Sequence, residues 1–131
     1  MVEKFKTILS NIEAERGNVA IFALLKMDEF VDKWTVVIST PWATDENRHE
    51  VFEMIRKKIV DTLTPSEVGE IARIAIFPID ERLIQELLQF KSDTVVENRK
   101  INGNDVHSAY IIKSEEAGHA QLSPTSANPA Q

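Results

Sequence analysis

Cysteine is absent from the 131 residues. That excludes a disulfide framework, a thiolate nucleophile and any cysteine-bound zinc or iron–sulfur cluster. Glycine is scarce, and its four positions, 17, 69, 103 and 118, are too scattered for a phosphate loop or a dinucleotide fingerprint. There is no Gly-x-Ser-x-Gly elbow and no His-Glu-x-x-His helix. A single tyrosine and the lack of a basic, aromatic strand argue against stacking on single-stranded RNA. No apolar run approaches the ~18 residues of a membrane span. The opening residues, Met1 to Lys6, lack the apolar centre of a signal peptide. Fifteen Lys and Arg against 21 Asp and Glu leave a net charge of -6. That acidic balance argues against nucleic acid or an anionic membrane as the partner. The expectation is a cytoplasmic protein without a cofactor or metal.

What is present reads as an α/β chain. Val2, Phe5, Ile8, Leu9 and Ile12 recur with helical spacing, and Gly17 offers a stop in the left-handed region. Val19 to Leu25 is a nearly continuous apolar run, which fits a strand covered on both faces. Trp34 to Ser39 is rich in β-branched residues and reads as a second strand, closed by Pro41. Thr44 is placed to cap a helix with Asp45 and Glu46 in its first turn. The apolar stripe of that helix is Val51, Phe52, Ile55, Ile59 and Leu63. Thr64-Pro65-Ser66-Glu67 has capping-box spacing with proline at the first helical position. Ile71 to Phe77 is a third strand. Asp80 is placed to cap a helix through Phe90, with Leu83, Ile84, Leu87 and Leu88 on its core face. Thr94 to Ile101 and Asp105 to Lys113 flank Asn102-Gly103, a strong hairpin signal.

The predicted order is α-β-β-α-β-α-β-β in one domain spanning 1–113, followed by a flexible tail, 114–131, too poor in apolar residues to order itself. Strand, helix and strand over 34–77 predict a right-handed parallel crossover. The first and last strand pairs are expected antiparallel. The fold class is therefore a mixed sheet of about five strands with packed helices, leaning towards cover on both faces.

Three constellations carry chemistry. Asp45, His49 and Glu53 stand at i, i+4 and i+8, but a helix sets its i and i+8 side chains about 12 Å apart along the axis, too far for one ion to draw all three. The second lies at the carboxyl ends of the parallel pair, where ligands of open α/β sheets bind. There Ser39, Thr40, Trp42, Asp80 and Arg82 supply hydrogen bonds, a flat wall and a cation, and form the expected ligand site. The third is the polar face of the hairpin, with Glu97, Arg99, Lys100, Asn104, Asp105 and His107, a pattern that also discourages edge pairing. Without a catalytic motif, the expected function is a binding or protein-interaction module with a protein partner. The alternative is a small enzyme acting on a phosphorylated or nucleotide-like ligand at the strand carboxyl ends.

Overall fold

A computed structural model describes residues 1–27 and 33–115. Helix α1 (Val2–Arg16) buries Phe5, Ile8, Leu9 and Ile12, the stripe its sequence spacing demands. Gly17 follows at φ 121° and ψ -171°, a positive-φ conformation for which glycine is suited. Strand β1 (Ile21–Met27) runs antiparallel to β2 (Trp34–Ser39), with Ile21 opposite Ser39. Helix α2 (Arg48–Thr62) and the single turn α3 (Pro65–Val68) lead to β3 (Ile71–Ile76), which lies parallel to β2. Helix α4 (Arg82–Leu87) then crosses to the hairpin of β4 (Thr94–Ile101) and β5 (Asn104–Ser114). The sheet order is β3-β2-β1-β5-β4.

Strand alternation explains why helices flank the sheet on both faces. Phe22, Leu24, Trp34, Val36 and Ile38 meet Phe5, Ile8 and Ile12 of α1 and Val51, Ile55 and Ile59 of α2. The intervening Ile21, Ala23, Leu25 and Val37 meet Leu83, Ile84 and Leu87 of α4 on the opposite face. A mixed five-stranded sheet within one α/β domain is thus the architecture, as its sequence implies. No helix among the described residues is long and apolar enough to cross a membrane.

Several boundaries differ from the sequence expectation. Helix α2 begins at Arg48 rather than at Thr44, because Thr44 and Asn47 bond one another reciprocally. The Thr44 amide donates to Asn47 Oδ1 at 2.7 Å, and the Asn47 amide donates to Thr44 Oγ1 at 3.3 Å, closing a turn before the helix. Asp45 therefore stands outside α2, and its expected spacing with His49 and Glu53 along one helix does not occur. Helix α4 is shorter than predicted, and Glu81 rather than Asp80 occupies its N-cap position. Ser114 closes β5 opposite Ile21, and the Glu115 amide donates to Ala20 O at 2.7 Å. The predicted tail thus contributes its first two residues to the sheet end, and 116–131 lie outside the described residues.

Candidate functional site

The parallel pair β2–β3 delivers two connections to the same end of the sheet. After β2, the Trp42 amide donates to Thr40 Oγ1 at 3.1 Å, and Asn47 Nδ2 donates to Trp42 O at 2.9 Å. This turn swings Trp42 towards α1. Its indole Nε1 donates to Asn18 O at 2.9 Å, and the Arg16 guanidinium stands 5.0 Å from the ring centroid. The space beside the β3 end is left to the residues that follow. A cavity of about 520 Å³ opens between α2 and β3, lined by Asp45, Arg48, His49, Phe52, Ile74 and Ile76. An adjoining cavity of about 300 Å³ shares Asp45, Arg48 and Ile76 and extends to Ala43, Thr44, Phe77, Pro78 and Asp80.

The expected ligand site is distributed over different places. Ser39 is fully buried and Thr40 nearly so. Trp42 packs on the chain's own loop. Asp80 is exposed and lines the smaller cavity, whereas Arg82 opens α4 and lines neither. Of the Asp45, His49 and Glu53 set, two line the larger cavity, and Glu53 pairs with Arg56 at 3.2 Å. Among the described residues no cluster of three metal-ligating side chains is assembled.

The lining of the cleft limits its chemistry. Arg48 is its cation, and Arg48 Nη2 already meets Asp45 Oδ1 at 3.2 Å. Asp80 adds a second carboxylate to the smaller cavity. A phosphate placed there would meet two anions and one partly neutralised cation, which opposes its binding. His49 and Asp45 line the larger cavity, whose described lining includes no hydroxyl or amine nucleophile. Phe52, Ile74 and Ile76 give the cleft an apolar wall instead.

That wall adjoins an open strand edge. β3 is the terminal strand of the sheet. The Phe77 amide donates to Ile38 O at 3.0 Å, inward across the β2–β3 ladder. Main-chain groups alternate along a strand, so those of Ile74 and Ile76 point away from β2, where no described strand pairs. The sequence of β3, Ile-Ala-Arg-Ile-Ala-Ile, carries one charge in six residues. The opposite edge, β4, is guarded by Glu97, Arg99 and Lys100, and Asn98 adopts a φ of 52°. Beside it, Lys100 pairs with Asp105 at 3.4 Å, and the Arg99 guanidinium stands 5.4 Å from the Phe90 ring centroid. A pocket of about 420 Å³ there is lined by His107 together with Asn98 and Val106.

The sequence pattern places Phe52 in the core and assigns Arg48, Ile74 and Ile76 to no site. The low charge of β3 was the available signal, but an edge position follows from strand order rather than local sequence. Comparison with known families, curated proteins and solved structures finds no match to this chain.

Proposed function

We propose that the protein is a non-catalytic interaction module that takes up an extended segment of a protein partner along β3. The observation that carries this reading is the outer edge of β3, on which no described strand pairs, beside a cleft with one apolar wall. Strand addition of this kind draws affinity from main-chain hydrogen bonds and selectivity from pockets for alternate side chains. Ile74 and Ile76 offer the main-chain groups, and the cleft under Phe52 offers the pocket. The competing reading, turnover of a phosphorylated or nucleotide-like ligand, has the position at strand carboxyl ends in its favour. The carboxylates of Asp45 and Asp80 weigh against it.

The test is selection of displayed random peptides on protein anchored so sparsely that its copies cannot meet. Peptides with alternating apolar residues are expected to bind, and Ile74→Lys is expected to weaken them by roughly tenfold or more, about 1.4 kcal/mol. Val95→Lys on the opposite edge is expected to leave them unchanged. Peptides that bind both variants equally would remove β3 as the docking edge. A nucleotide that raises Tm in the wild type but not in Arg48→Ala would favour the enzyme.

A further inference from the structure

We propose that the strand docking on β3 is β3 of a second copy of this chain, joining two five-stranded sheets into one continuous sheet about a two-fold axis. The inference rests on β3 as the docking edge and names its occupant. A two-fold interface sets a surface against itself, so a patch of one sign repels its own copy. On a chain of net charge -6, a surface whose acids lack paired bases therefore resists self-association. The flank of α2 beside β3 is different. Asp45 and Arg48, which line the cleft there, pair with one another, so the cleft between α2 and β3 sets an acid and a base side by side.

The register follows from the main chain. Residues that exchange hydrogen bonds across an antiparallel pair must both present their N–H and C=O groups to the seam. Ile74 and Ile76 do so, and placing Ile74 opposite the partner's Ile76 satisfies both copies at once. Ala75 then faces the partner's Ala75 across a narrow, non-hydrogen-bonded position, with no side-chain bulk to hold the strands apart. In this register Arg73 lies opposite the partner's Phe77, so the one charge of β3 never meets its own copy. On the face covered by α1 and α2 the two clefts meet across the axis, bringing together apolar walls that include Phe52 and Ile76.

Sedimentation equilibrium of the full chain is expected to give twice the protomer mass of 14.8 kDa. Because the chain has no cysteine, Ala75→Cys introduces a single thiol. Facing residues of an antiparallel pair at ~4.5 Å between Cα atoms lie within disulfide range. Mild oxidation is expected to convert Ala75→Cys to a covalent dimer at least ten times faster than Val95→Cys, whose thiol would sit on the β4 edge. The small substitution keeps the fold, which the Tm of the reduced variant verifies. A mass of one protomer from micromolar to millimolar concentration would overturn the proposal, as would equal cross-linking of the two variants. If that monomer still selects peptides sensitive to Ile74→Lys, the second copy is the wrong occupant while the docking edge stands. If neither peptides nor a dimer depend on β3, both readings fall.

Discussion

Thr35 and Ser39 project from the same side of β2 as Val37, towards the face covered by α4, and both are buried. Neither hydroxyl has a hydrogen-bond partner in the structure. A hydroxyl removed from water without a partner loses its solvation and gains nothing in return. Thr35→Val keeps the β-branched shape and removes the unpaired oxygen. It is expected to stabilise the protein by about 1 kcal/mol in urea unfolding, with an unchanged slope. Equal or lower stability would mean that the hydroxyl is satisfied in solution. From the sequence alone, Ser39 and Thr40 looked available to a ligand because they stand near the end of a strand. Their burial depends on β1 on one side and β3 on the other, and no spacing within 34–40 reports those neighbours. Trp42 illustrates the same difficulty. Its partner, the carbonyl of Asn18, lies 24 residues away in the chain.

At the scale of elements, local sequence suffices where a side chain bonds its own neighbourhood. The capping box of α3 is present as its four residues imply: the Glu67 amide donates to Thr64 Oγ1 at 3.2 Å and the Thr64 amide donates to Glu67 Oε1 at 2.9 Å. The Asn102-Gly103 turn takes φ values of 51° and 78°, the pair that a tight hairpin needs. The start of α2 differs from the sequence expectation because two residues, Thr44 and Asn47, both suit a cap, and the turn between them decides that Asn47 is used. The capping box also acquires a contact that its sequence does not contain. Lys4 Nζ of α1 meets Glu67 Oε1 at 2.8 Å. This ion pair, with the Thr64 amide behind it, lowers the pKa of Glu67 from 4.5 to about 2. A carboxyl depressed in the folded state adds stability above its unfolded value and loses it as pH falls towards the folded one. Wild type is therefore expected to exceed Glu67→Gln in stability at neutral pH, with the gap closing as pH falls from 4.5 towards 2. Thermal unfolding of both proteins across that range checks it, and a gap independent of pH would show that the charge of Glu67 is not what holds α3 to α1.

For the whole molecule, the parallel crossover and the two antiparallel pairs were legible, but the order of the strands was not. The near-complete burial of β1 suits a strand flanked on both sides, yet nothing local says that β5 rather than β4 pairs with it. Long-range closure decides this, and the last described residues take part in it. The Ser114 amide donates to Ser92 Oγ at 2.9 Å, Ser114 Oγ donates to Leu87 O at 3.3 Å, and the Glu115 amide reaches Ala20 O at 2.7 Å. One end of β5 thus ties together the entry to β1, the end of α4 and the approach to β4. Beyond Glu115 the sequence supplies one large apolar residue, Leu122, and so little apolar surface that could add to the core. Truncation after Glu115 is therefore expected to leave Tm essentially unchanged. Removing Ser114 and Glu115 as well breaks all three ties and is expected to cost about 2 kcal/mol, as a partly exposed set of hydrogen bonds would. Calorimetry on the two truncated chains separates these outcomes. A large loss on the first cut would place part of the fold's closure beyond Glu115, whereas no loss on the second would leave β5 anchored by its ladder with β1 and β4 alone.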